Sequence, residues 1–209
     1  MKKLLTLLNI LIIFNYSYSQ CNGRYETEIF DSVTINNDIY YSDVYFDSEH
    51  QMDIYFPEGD TVNNRPLIIF LHGGSFINGN KSNIACVDFC KSFAKRGYVA
   101  ASINYRLNNN PQAFALSQQE QYVTVLKATS DLKGAIRYFR KSVANGNPYG
   151  IDGNTIFIGG ASAGAVAAIH SAYIDDIIDL PTSRSYQDIL TGQTINFNMQ
   201  ALLNSIGGS

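Results

Sequence analysis

The sequence has 209 residues, 45% hydrophobic, 16% charged and 12% aromatic, with a formal net charge of −3, no Trp and three Cys. A domain takes roughly 100–200 residues, so this length supports one well-built core and hardly two. The apolar content excludes disorder, the sparse Cys exclude a disulfide scaffold, and an acidic balance without a long Lys/Arg run argues against nucleic acid.

Residues 1–19 have the layout of a secretory signal peptide. Lys2-Lys3 supply the positive start, Leu4 to Phe14 is an apolar run broken only by Thr6 and Asn9, and Ser17 and Ser19 place small residues before a cut. The run is too short for a membrane span. A buried N-terminal strand or helix is the competing reading. A lipoprotein site at Cys21 is the weaker one for that cysteine, because Gln20 precedes it where such a site wants a small residue. The remainder, residues 20–209, is expected to be exported or periplasmic, with no membrane span. Cys86 and Cys90 lie four apart on an expected helix and read as apolar packing residues rather than a bridge or metal pair.

From Glu26 to Phe56 the alternation of Val, Ile and Tyr predicts antiparallel strands. They fall near Ile29–Ile35, Ile39–Tyr41, Val44–Phe46 and Met52–Phe56, with turns at Asn36-Asn37-Asp38 and Asp47-Ser48-Glu49. Their tyrosines (Tyr40, Tyr41, Tyr45, Tyr55) read as a half-buried sheet face or, alternatively, as a carbohydrate-stacking platform. After a polar loop the pattern changes. Leu67–Leu71 is continuously apolar, as in a strand buried on both faces of a parallel sheet. A helix follows over about Asn83–Arg96, closed by Gly97. Tyr98–Asn104 is the next buried strand, and a helix from near Ser117 carries an apolar stripe of Leu132, Ala135, Ile136, Phe139 and Val143. Thr155–Ile158 is a third buried strand, running into a helix that ends near Ile174. The expected fold is α/β: a doubly wound, mostly parallel sheet with antiparallel N-terminal strands.

Two glycine-rich loops follow buried strands, so both open at the same sheet edge. Gly160-Ala161-Ser162-Ala163-Gly164 falls between a strand and a helix, the context in which G-x-S-x-G presents a nucleophilic serine. His72-Gly73-Gly74-Ser75-Phe76 suits an oxyanion loop, where glycines let backbone N–H groups turn toward developing negative charge. The expected donors are Gly73, Gly74 and Ala163.

With Asn104-Tyr105-Arg106-Leu107 and Tyr149-Gly150-Ile151-Asp152, these motifs stand in the order found in α/β-hydrolase esterases. The chain resembles the branch holding hormone-sensitive-lipase-like esterases, type-B carboxylesterases and bacterial feruloyl- and acetylxylan-esterase-like domains, over about residues 45–175. The resemblance implies a serine carboxylic-ester hydrolase with Ser162 as nucleophile, working through an acyl-enzyme on a small-molecule or polysaccharide-linked ester. It implies no metal or organic cofactor. Ser75 departs from the commoner third glycine.

A serine nucleophile needs a base, normally a His oriented by a carboxylate, and in this fold both follow the nucleophile. Of the three histidines, His50 and His72 precede Ser162, and the resemblance gives His72 a bracing role in the oxyanion loop. His170 sits eight residues along the helix, about 12 Å away. Asp175, Asp176, Asp179 and Asp188 come too early to be the triad acid. The sequence therefore reads as the N-terminal part of a longer hydrolase, with its acid and His expected beyond residue 209 and little turnover expected of these residues alone. The alternative is an inactive binding module on the same fold. A nucleotide-binding reading of Gly74–Ser82 fails on register, because Asn80 separates Gly79 from Lys81. Asp131 is expected to cap or hold a loop, and Arg106 to tie the segment after its strand.

Overall fold

The computed structural model describes residues 23–174 and 179–206. The leader, Cys21, Asp175 and Asp176 lie outside the described residues. Strand β1 (Val33–Tyr40) pairs antiparallel with β2 (Gln51–Pro57), which follows a single 3₁₀ turn at Ser48–His50. β2 also pairs antiparallel with β4 (Val99–Ile103), whereas β3 (Arg65–Leu71) lies parallel to both β4 and β5 (Ile151–Gly160). The order across the sheet is β1-β2-β4-β3-β5, so β2 alone runs against its neighbours.

Period-two alternation sorts the strand side chains onto two cores. Met52, Ile54, Leu67, Ile69, Leu71, Ala101 and Ile103 face helices α3 (Gln118–Ala144) and α4 (Ala163–Tyr173). Tyr55, Phe70 and Ala100 face α1 (Ile84–Lys95) on the other side, where Phe70 stacks on Phe89 at 4.0 Å. Helices on both faces of a mostly parallel sheet give the doubly wound arrangement its sequence pattern implies.

The helix ends follow local chemistry. Asn83 caps α1 by accepting from the Ala85 N–H, and Gly97, at φ 99°, takes the left-handed turn after it. Ser117 caps the 27-residue α3 by accepting from Glu120 N–H. Leu132, Ala135 and Phe139 of its stripe are fully buried. Cys86 and Cys90 are buried free thiols on one face of α1, as packing residues should be.

Several expectations need correction. Asn36-Asn37-Asp38 is not a turn between strands: β1 runs through it, and the register shifts between Asn36 and Ile39. Asp38 adopts φ 57°, which Asp tolerates better than most residues, and its N–H donates to the Asp53 carboxylate at 2.9 Å. Tyr41–Asp47 forms a loop rather than further strand. β5 is longer than expected and is not buried on both faces. Among the described residues it is an edge strand, opposite β1, and Phe157 is 53% exposed. The tyrosines form no common platform either, since Tyr41 and Tyr55 are buried on opposite faces of the sheet.

Two features escaped the pattern reading. A short helix, α2 (Pro111–Leu116), precedes α3, with Pro111 in its first turn. Beyond Pro181, strands β6 (Ser183–Gln187) and β7 (Thr194–Asn198) form an antiparallel hairpin, followed by α5 (Met199–Ile206). Phe197, Met199, Leu202 and Ile206 gather against Leu126 of α3 in a small separate core. No helix of the described residues is long and apolar enough to cross a membrane.

Candidate active site

β3 and β5 are neighbours in parallel register, with Leu71 opposite Gly160, so the loops that leave them emerge side by side. Ser162 stands between β5 and α4 at φ 50° and ψ −114°. Few non-glycine residues adopt such a conformation, and holding one there costs on the order of 1–3 kcal/mol. It places an exposed serine side chain at the N-terminal end of α4, where the helix dipole is positive.

The glycines of this turn are there for close approach. A Cβ on Gly160 would overlap the backbone of Gly164 and Ala165, and one on Gly164 would overlap the carbonyl oxygens of Leu71 and His72. Helix α4 therefore starts hard against the end of β3. The Ala161 N–H donates to the Leu71 carbonyl at 3.0 Å and fixes the turn from the other side.

The second loop touches the first. A Cβ on Gly73 would lie 3.1 Å from the Ala161 carbonyl oxygen and 3.3 Å from the Ser162 Cβ. A side chain at residue 73 would have to push the serine turn back by a few tenths of an ångström. Gly74 takes φ 127° and is wrapped by Asn78, whose backbone oxygen would clash with any Cβ there. Among the described residues neither the Gly73 nor the Gly74 N–H donates to a backbone carbonyl. The structure thus brings Ser162, Ala163, Gly73 and Gly74 together.

His72 is buried, and its Nδ1 lies 2.7 Å from the Gly73 carbonyl oxygen. A carbonyl only accepts, so Nδ1 carries the proton and donates. The ring stacks on Tyr105 at 4.3 Å, and the Tyr105 hydroxyl donates to the His72 carbonyl at 2.7 Å. Burial lowers the His72 pKa below 6.5, favouring the neutral ring. Its place fits the bracing role.

The other histidines are held elsewhere. His170 Nδ1 bonds the Val166 carbonyl of its own helix at 2.8 Å. His50 is buried, with Nδ1 2.7 Å from Asp47 and Nε2 3.6 Å from Asp131. Asp131 is the loop-holding carboxylate the sequence suggested: it accepts from the Arg106 backbone N–H at 2.8 Å and from the Arg106 Nε at 2.9 Å. Arg106 Nη1 reaches farther and donates to the Ile206 carbonyl at 2.7 Å, tying α5 to the segment after β4. Asp188 shapes the β6–β7 turn by accepting from the Leu190 and Thr191 N–H groups. Among the described residues no histidine is placed on Ser162.

Lys81, which a phosphate cradle would need at its surface, is turned inward onto Asp53 at 2.6 Å and Asp38 at 2.8 Å. That removes the nucleotide-binding reading. The sequence had no signal for this buried pair, because an alternating strand gives Asp53 no mark of burial.

A mostly parallel sheet with one reversed strand, carrying a strained serine beside a His-Gly-Gly loop, defines an α/β-hydrolase of the esterase type. Comparison with known proteins agrees: the BD-FAE family model matches residues 52–208, and the chain belongs to this esterase family. Among solved structures it is similar to a truncated carbohydrate esterase from gut microbiota, at 23% identity and TM-score 0.52, over 85% of this chain and 52% of that one. It is similar to esterase B from Lactobacillus rhamnosis inhibited by a tributyrin phosphonate, at 20% identity and TM-score 0.53, over 81% of this chain and 50% of that one. A bifunctional GH43-CE protein of Bacteroides eggerthii matches at 24% identity and TM-score 0.52, over 78% of this chain and 20% of that one. At these identities the likeness concerns the fold. The chain spans about half the length, or less, of these structures. No curated protein was found to match it.

Proposed function

We propose that the chain carries the nucleophile and oxyanion machinery of an exported serine carboxylic-ester hydrolase. The observation that carries this reading is the contact of Gly73 with Ser162, which puts an oxyanion-type loop directly beside a strained serine. Ser162 Oγ attacks the ester carbonyl carbon and the carbonyl π electrons move to oxygen. The N–H groups of Gly73, Gly74 and Ala163 receive that charge, a stabilisation present only as it develops. Collapse expels the alcohol and leaves an acyl-Ser162, which water then hydrolyses to the acid. The serine proton needs an acceptor. His50, His72 and His170 are each bonded elsewhere, so the base comes from outside the described residues.

The titles of the similar structures name esterases, which supports an ester substrate, small or polysaccharide-linked. The signal-peptide pattern of residues 1–19 supports export. The engagement of all three histidines favours one second reading, an inactive binding module. The intact elbow and glycine loop favour the enzyme.

An alkyl fluorophosphonate reacts at an activated serine. We expect slow intact-mass labelling that maps to Ser162 and is lost in Ser162→Ala; labelling that persists in Ser162→Ala, or that maps to another residue, would falsify the reading. For p-nitrophenyl acetate we expect the 209-residue chain to turn over far below the usual enzyme range of about 1–1,000 per second. Robust turnover lost in Ser162→Ala would show that a base is present after all.

A further inference from the structure

The loop from His72 to Ser82 offers both glycine donors, yet its backbone is unfavourable by itself. Gly74, Ser75, Phe76 and Gly79 all have positive φ, at 127°, 54°, 62° and 101°, and two of the four are not glycine. Such a loop keeps its shape only if its surroundings impose it. His72 and Tyr105 hold its start. Its middle is tied by Asn108, whose N–H donates to the Phe76 carbonyl at 2.7 Å, and its exit is tied to the sheet by Lys81, through every polar group that residue has. The Lys81 N–H donates to Asn104 Oδ1 at 2.5 Å, and its carbonyl accepts from the Ser102 hydroxyl at 2.7 Å. Its ammonium meets Asp53 at 2.6 Å and Asp38 at 2.8 Å. These partners stand on or directly after β1, β2 and β4, so one lysine joins the loop to three strands.

The irregularity of β1 has a use in this light. The left-handed turn at Asp38 points both its N–H and its carboxylate into the cluster, with the N–H on Asp53 at 2.9 Å. Burial by itself would depress the Lys81 pKa, but the two carboxylates outweigh it and hold the ammonium above its ordinary value. A buried ion pair is weak evidence for stability, since apolar residues of equal volume serve as well. What apolar residues cannot supply is direction.

The exit of the loop is also mechanically joined to its start. Asn78 wraps Gly74, and Gly79 sits where a Cβ would lie 2.5 Å from His72 Nδ1 and overlap the Gly73 carbonyl. Residues 78–79 therefore bear on 72–74, and a shift at 80–81 is passed to the donors. We propose that Lys81, through Asp53 and Asp38, is a positioning residue that sets the Gly73 and Gly74 N–H groups against Ser162. The catalytic part of this proposal rests on the serine-hydrolase reading; the mechanical part does not.

The test compares Lys81→Met and Asp38→Asn with the parent chain, well below its unfolding midpoint, by fluorophosphonate labelling of Ser162 and by amide hydrogen exchange. We expect Lys81→Met to slow labelling by roughly 10- to 100-fold, the scale on which a small misplacement acts. Exchange should quicken at residues 73–78 and stay unchanged in Leu67–Leu71 and Val99–Ile103. Asp38→Asn should change both readouts in the same direction but less, because Asp53 still holds the ammonium. A folded Lys81→Met with parental labelling and parental exchange at 73–78 overturns the proposal. If Lys81→Met does not fold, Asp38→Asn decides, its side chain being 64% exposed: faster exchange at 73–78 supports the clasp and unchanged exchange rejects it. Should the parent itself not be labelled, the exchange measurement alone decides whether Lys81 holds the loop.

Discussion

His50 and Asp131 face each other across 3.6 Å inside the protein, with side chains 1% and 0% exposed. The separation is too long for a hydrogen bond, and His50 Nε2 has no other hydrogen-bond partner, so the contact is Coulombic. Burial pulls the His50 pKa down, but Asp131 and Asp47 outweigh it and the net shift is upward from 6.5. A raised folded-state pKa contributes stability that is complete below the unfolded value and is lost as pH rises through the folded value. Urea midpoints should therefore fall as pH climbs from about 6.5 through the folded-state value, and His50→Gln should flatten that alkaline limb.

His72 has the opposite sign. Its folded pKa lies below 6.5 because burial disfavours the imidazolium. The unfolded chain therefore takes up this proton first, and stability present above about 6.5 is lost as pH falls toward the folded value. In a proton NMR titration the His72 ring should titrate below 6.5 while His50 titrates above it. His72→Gln should remove part of the acid-side loss. A His72 resonance titrating above 6.5 would contradict the burial argument.

Asp131 carries the fixed end of a buried network. It binds the Arg106 backbone and guanidinium together, and Arg106 Nη2 lies 2.6 Å from Asp131 Oδ1. Asp131→Ala leaves Arg106 with no counter-charge in the interior, which should cost about 3–5 kcal/mol. Equilibrium urea unfolding measures it, and a loss under about 1 kcal/mol would mean that water already solvates the guanidinium.

Gly164→Ala tests the elbow. A Cβ there meets two backbone carbonyl oxygens, which cannot rotate away as a side chain could. Overpacking costs about 1–3 kcal/mol, and an overlap with rigid backbone lies at the upper end, set against the roughly 1 kcal/mol by which alanine improves a helix. We expect a lower thermal midpoint together with slower fluorophosphonate labelling of Ser162. An unchanged midpoint would show that α4 can slide away from β3.

Much of this site was legible because backbone constraints leave marks in sequence. Gly160 and Gly164 are written as glycines since their Cβ positions are occupied, and Ser162 is found by the glycines around it. The apolar runs at Leu67–Leu71 and Val99–Ile103 announced a doubly covered sheet in the same way. Long-range polar pairing leaves no such mark. Lys81 lies 28 residues from Asp53, and nothing local tells either that it will be buried. Asp38 looked like turn punctuation because the residue types that end strands also tolerate bulges. Thr155–Ile158 looked doubly buried because an apolar run records what a strand can cover, and its position in the sheet decides what is covered.

The end of β3 serves two masters. The Leu71 carbonyl receives the Ala161 N–H on the Ser162 side, and the next residue, His72, opens the Gly73-Gly74 loop. The serine and the glycine amides proposed to act with it are thus surveyed from a single benchmark. Bending of the sheet as a whole would carry both together and leave their mutual spacing intact. Sequence drift away from β3, β5 and the Lys81 cluster can accordingly alter solubility, partners or substrate access while the alignment between Ser162 and Gly73 stays as it is.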